Sequence, residues 1–238
     1  MTKTFTDSVN IADNLAQIQH NILVFCEKYH RSPQDVQLLA VSKTKPAESI
    51  RQAFNAGQVR FGENYLQESI EKIHDLGDLN IEWHFIGAIQ SNKTREIAEN
   101  FAWVHSVDRL KIAKRLSQQR PESLPALNIC LEVNISQEAS KSGFSLSEIE
   151  PLIDEIISLP NIRLRGLMAI PAKAGSLNEQ RETFAKMKHL LLALQKKHPQ
   201  LDTLSMGMSN DMEAAIAEGS TMLRIGTAIF GARNIDGL

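Results

Sequence analysis

Apolar positions recur along this chain in two alternating rhythms. Ile11, Leu15, Ile18, Ile22, Cys26 and Tyr29 fall at steps of three and four, the stripe of an amphipathic helix over about residues 8–30. The rhythm then changes. Gln37 to Ser42 is a short apolar run of strand type, followed by Pro46 as a helix opener and Gly57 as a stop. Val59 to Gly62 is the next strand, and Leu66, Ile70 and Ile73 mark a helix ended by Gly77. The same exchange continues through strands at 82–86, 103–105, 127–134, 164–170, 203–206 and 222–225. Helices are expected between them at 93–101, 108–119, about 147–159, 177–197 and 210–218. Asp108 is expected to cap the helix it opens, and Ser147 with Glu150 reads as a capping box.

Strands separated by helices imply right-handed crossover units and a parallel sheet. Eight units in 238 residues imply a closed (β/α)₈ TIM barrel with an additional N-terminal helix, read as one domain over 1–238. An open doubly wound sheet is disfavoured, because no glycine-rich dinucleotide turn follows the first strand.

Composition narrows the function classes. Hydrophobic residues make up 42% and charged residues 23%, which excludes disordered and fibrous chains. The formal charge of −2 comes without a basic stripe, so nucleic acid is not an expected partner. The polar first residues contain no apolar core of a signal peptide, and no apolar run is long enough to span a membrane. Cys26 and Cys130 form no C-x-x-C pair, which argues against zinc and for a reducing compartment; a cytoplasmic monomer is expected.

In a barrel, chemistry gathers at the C-terminal ends of the strands. Lys43 follows the first strand. A lysine there is either a Schiff-base amine, its pKa lowered by poor hydration, or a surface lysine that snorkels past the strand end. Lys45 reads as the solvated one. The loops Gly207-Met-Ser209-Asn210 and Gly226-Thr227 suit an anion, because glycines let backbone N–H groups approach it. The alternative is that these glycines serve turns and Ser209 caps a helix. Arg224 is either a donor to a ligand or half of a structural ion pair, for instance with Glu63. His84 has no metal-type neighbour and reads first as a satisfied structural histidine. No metal cluster and no Ser-His-Asp motif is present in the sequence.

Several stretches together match one pattern: Leu39-Ala-Val-Ser-Lys-Thr-Lys45, Phe61-Gly-Glu-Asn-Tyr65, Trp83-His-Phe-Ile-Gly87, Lys141-Ser-Gly143, Ser205-Met-Gly-Met-Ser209 and Arg224-Ile-Gly-Thr-Ala-Ile-Phe-Gly231. On these motifs, in order from about Leu38 to Arg233, the chain resembles the pyridoxal 5′-phosphate homeostasis proteins, relatives of the alanine racemase barrel. Ala88-Ile89 departs from the Pro-Leu expected after the third-strand glycine. The resemblance implies pyridoxal 5′-phosphate as cofactor, held as a Schiff base on Lys43. It implies a binding set of Lys43, Asn64, His84, Ser209, Arg224, Gly226 and Thr227, with the phosphate near Ser209, Gly226 and Thr227 and the ring nitrogen toward Arg224. It also implies buffering of the cofactor and its delivery to apo-enzymes. No racemase chemistry is expected, since the chain ends at Leu238 with no second domain to bring an opposing base. A racemase-type enzyme and a Schiff-base aldolase are the rival readings.

Overall fold

The computed structural model describes residues 9–136, 142–172 and 174–232. Eight parallel strands, each joined to its sequence neighbour and the eighth to the first, close the expected barrel. They are β1 (Gln37–Val41), β2 (Arg60–Glu63), β3 (Glu82–Phe85), β4 (Trp103–Val107), β5 (Leu127–Glu132), β6 (Ile162–Met168), β7 (Thr203–Ser205) and β8 (Met222–Ile225). The helices are α1 (Ile11–Lys28), α2 (Ala47–Asn55), α3 (Leu66–Asp75), α4 (Thr94–Asn100), α5 (Leu110–Gln119), α6 (Leu146–Ile157), α7 (Leu177–Gln195), α8 (Met212–Ala217) and the single turn α9 (Thr227–Phe230).

Side chains of a barrel strand alternate between the lumen and the helices. Outward residues such as Ala40, Phe61, Phe85, Ile129, Leu204 and Leu223 merge with Ile50, Leu116, Phe184 and Ile216 from the helices into one continuous apolar layer. Helix α1 adds its predicted stripe, Ile11 through Cys26, to the same layer. The lumen differs. It holds two small apolar clusters, Leu39–Ile86–Met222 and Trp103–Cys130–Met168. Buried polar residues, among them His84, His105, Ser205 and Arg224, fill the space around them.

Two start signals are corrected. The α6 capping box is Ser145 with Glu148, two residues before the expected pair, because the helix opens at Leu146. Asp108 does not cap α5. Its carboxylate bonds the Arg109 guanidinium instead, and Arg109 occupies the cap position. A second box, Ser176 with Glu179, opens α7.

Candidate functional site

At the C-terminal mouth the loops meet around a cavity of about 540 Å³. Six of the seven predicted residues line it: Lys43 after β1, Asn64 after β2, Ser209 after β7, Arg224 on β8, and Gly226 and Thr227 beyond it. The apolar part of the wall is Val41, Ile86, Ile170 and Met208. The sequence assigns none of these four to the site, since an apolar wall residue carries the same signal as a core residue. Ile86 was within reach of a period-two count along β3, which puts it at the mouth.

His84 is the exception. It sits two residues deeper on the same inward face as Ile86, is fully buried, and does not line the cavity. Its Nδ1 bonds His105 Nε2 at 2.9 Å and its Nε2 bonds Glu82 Oε1 at 2.9 Å. His84 thus lies in the lumen beneath the mouth cavity. Burial, first of all, holds the pKa of His84 below that of a free imidazole, and that of His105 well below it.

The backbone that carries Lys43 is braced from both sides. Lys72, on α3 and almost fully buried, donates to the Ser42 carbonyl at 2.8 Å, to Glu63 Oε1 at 2.9 Å and to Glu68. The Ser42 hydroxyl donates to the same Glu63 oxygen at 2.5 Å, and the Thr44 N–H donates to Glu68 at 2.6 Å. Thr44 has φ +62°, a left-handed conformation that costs a β-branched residue of the order of 1–3 kcal/mol. The acidic and basic groups of β2 and α3 thus hold a strained turn beside the lysine. Lys45 is partly exposed and donates to the Ala232 carbonyl at 2.8 Å.

Arg224 does not pair with Glu63. Its Nη1 donates to the carbonyl and hydroxyl oxygens of Ser205 at 2.7 and 2.8 Å, and its Nη2 to the Ala169 carbonyl at 2.9 Å. Burial pushes its pKa down to about 10, so it is still a cation at neutral pH. Glu63 belongs to Lys72. Burial raises its carboxyl above the ordinary range, and the Lys72 charge opposes the rise.

Two features of the mouth suit a polar ligand. The side-chain oxygen of Asn64 is buried without a hydrogen bond. The Asn64 backbone packs on Gly87: a Cβ there would lie 2.0 Å from the Asn64 backbone carbonyl oxygen, so only glycine allows this approach. On the opposite side, Thr227 and Ala228 open α9, and first-turn amides have no acceptor within their own helix. Ser209 does not cap α8, which starts from Asp211; the Asp211 carboxylate receives the Met208 N–H at 2.5 Å. The preceding Gly207 has φ +100°, which turns this loop over the cavity. Lys141 lies outside the described residues. Among those residues no group of side chains suits a metal ion, and no helix is long and apolar enough to cross a membrane.

Comparison with known proteins agrees with this geometry. Residues 14–234 match the family model described as alanine racemase, N-terminal domain. A protein of Pseudomonas aeruginosa named pyridoxal phosphate homeostasis protein is 57% identical over 224 residues, covering 94% of this chain and 96% of its own length. Its namesake in Escherichia coli K12 is 54% identical over 228 residues, with 94% and 97% covered. Among solved structures, PipY of Synechococcus elongatus with PLP bound superposes with a TM-score of 0.82 at 38% identity, covering 93% of this chain and all of that one. An alanine racemase of Clostridium difficile shares the fold at 15% identity, with a TM-score of 0.75. The closed barrel, a lysine at its mouth and this whole-length likeness converge: the chain belongs to the pyridoxal phosphate homeostasis protein family, on the alanine racemase N-terminal barrel.

Proposed function

We propose that this chain binds pyridoxal 5′-phosphate in the mouth cavity and serves as its intracellular reservoir, releasing it to apo-enzymes. The observation that carries the reading is the convergence of Lys43, Arg224 and the β7 and β8 loops on one cavity of suitable size. When bound, the cofactor supplies an aldehyde with which a lysine amine condenses, and Lys43 is the amine that the braced turn presents. The phosphate suits the amides of α9 and the hydroxyls of Ser209 and Thr227. The buried Asn64 oxygen suits a hydroxyl donor of the ring, and Arg224 faces the ring nitrogen. His84 acts one layer away.

The reading is one of carriage rather than catalysis. A racemase needs two acid–base groups, one on each face of the substrate carbon. Neither tyrosine lines the cavity: the Tyr29 hydroxyl donates to Glu213 at 2.9 Å, and Tyr65 is half exposed outside it. Borohydride trapping followed by peptide mapping should label Lys43; a label on Lys45 or Lys141 instead overturns the assignment. Thr227→Ala should weaken binding about tenfold, the loss of one charge-assisted hydrogen bond. Deuterium exchange at the α-carbon of alanine should stay at background, and fast exchange lost in Tyr65→Phe would establish the racemase reading.

A further inference from the structure

One feature of the lumen is not accounted for by binding alone. A continuous file of hydrogen bonds crosses the barrel from the N-terminal end to the mouth. Glu82, which lines a separate cavity of about 570 Å³ at that end, meets His84 at 2.9 Å. His84 meets His105 at 2.9 Å, His105 Nδ1 meets Ser205 Oγ at 2.7 Å, and Ser205 Oγ meets Arg224 at 2.8 Å. Four different strands supply it: β3, β4, β7 and β8.

The two ends dictate the direction of every bond between them. A guanidinium only donates, so the Ser205 oxygen accepts from Arg224. A carboxylate only accepts, so His84 Nε2 carries its proton toward Glu82. Glu82 is held as a carboxylate, its pKa lowered first by the His84 bond and also by Arg60, which donates at 3.1 Å. Both rings are wholly buried, which favours the neutral imidazole. Neutral His84, donating through Nε2, must accept at Nδ1, so His105 donates through its own Nε2. His105 must then accept at Nδ1, so the Ser205 hydroxyl donates to it. All four bonds point one way, from Arg224 to Glu82. The ring planes are set as well: His84 stacks on Trp103 at 5.3 Å and 8°, and Arg165 covers Trp103 at 4.6 Å.

We infer that this polarised wire positions Arg224 for the cofactor ring, which makes Ser205, His105 and His84 positioning residues and Glu82 the anchor that sets the wire's direction. The inference rests on the functional reading above only where it concerns the cofactor. A guanidinium held by one serine hydroxyl and two carbonyls cannot swing with the ligand. The Ser205 hydroxyl holds it because its own proton is committed to His105. Aligned bonds of this kind also polarise one another.

The test has two arms. Ring ¹⁵N spectra of the unliganded protein at neutral pH should show His84 and His105 both as neutral Nε2–H tautomers. An Nδ1–H tautomer or an imidazolium at either ring overturns the wire, whether or not the functional reading stands. In the second arm, pyridoxal phosphate is titrated into wild type, Ser205→Ala and Ser205→Thr, following affinity and the absorption maximum of the bound form. Ser205→Ala should bind about tenfold more weakly with a shifted maximum, and Ser205→Thr, which keeps the hydroxyl, should recover most of both. Wild-type affinity and spectrum in Ser205→Ala, with wild-type protein binding normally, overturns this inference and leaves the functional reading intact. Wild-type protein that fails to bind overturns both the functional reading and the cofactor part of the inference.

Discussion

The layer between strands and helices and the lumen of the same strands are built from opposite materials. The outer layer is a single apolar cluster that runs around the barrel, with α1 closing one side. Its residues are specified by size and burial, and any chain with this alternation forms such a layer. The lumen carries two apolar islands and, around them, histidines, a serine and an arginine whose every bond has a direction. The lesson is a division of labour. Packing outside makes the barrel stable, and hydrogen bonding inside decides what its mouth presents. One charged inclusion on the helix side, Lys72 with Glu63 and Glu68, lies under the mouth beside Lys43, where the backbone itself must be held.

The sharpest break of this comparison is a large cavity in the outer layer. Phe184→Ala, at a side chain 1% exposed, should cost about 3–5 kcal/mol in chemical denaturation while leaving cofactor affinity near wild type. An affinity that falls in parallel would show that the two regions are not separable.

Lys72→Met should cost up to a similar 3–5 kcal/mol, because it leaves the buried Glu63 carboxylate without its counter-charge. Unlike the phenylalanine change, it should also lower cofactor affinity, through the loosened Ser42–Thr44 turn. The double variant with Glu63→Gln should regain part of the stability and little of the affinity. Full recovery of both would reduce the pair to a packing element.

Acid separates the regions by sign. His84 and His105 have depressed pKa values in the folded chain, so below the ordinary value of 6.5 the unfolded chain binds protons that the folded one refuses. Stability should therefore fall as pH drops below about 6.5, by roughly 1.4 kcal/mol per pH unit for each histidine once the unfolded form is protonated. His105→Asn should reduce the slope by one proton's worth. A slope unchanged in that variant would mean that the lumen already admits the charge.

The smallest effect is expected at the thiols. Cys26 lies in the outer layer and Cys130 in the lumen, both fully buried, and burial pushes Cys130 up to about 12. Neither should react with a maleimide faster than the protein unfolds. Rapid labelling of Cys130 alone would reveal opening of the lumen without loss of the outer layer.

The order and type of all eight strands and of the helix before them were legible in the sequence, because burial on the helix side leaves a period that one segment carries alone. The N-terminal stripe is the clearest case: Ile11, Leu15, Ile18, Ile22 and Cys26 are all buried as their spacing required. Lys43 and the glycine-bearing loops were legible too, since strand ends mark the barrel mouth wherever they occur. Exact starts were less so. Ser145 and Ser147 offer the same chemistry two residues apart, and only the geometry of the incoming loop chooses between them.

What the tertiary structure alone decided is pairing across the barrel. Arg224 could have met Glu63, as far as sequence shows. The closed sheet instead brings β3, β4, β7 and β8 around one lumen, sets Lys72 over Glu63, and joins His84 to Arg224 through residues 105 and 205. Hydrophobic burial is non-directional and written locally, so a chain announces its layers. A hydrogen bond needs two groups at about 3 Å in one orientation, and groups far apart in sequence acquire that only when the barrel closes.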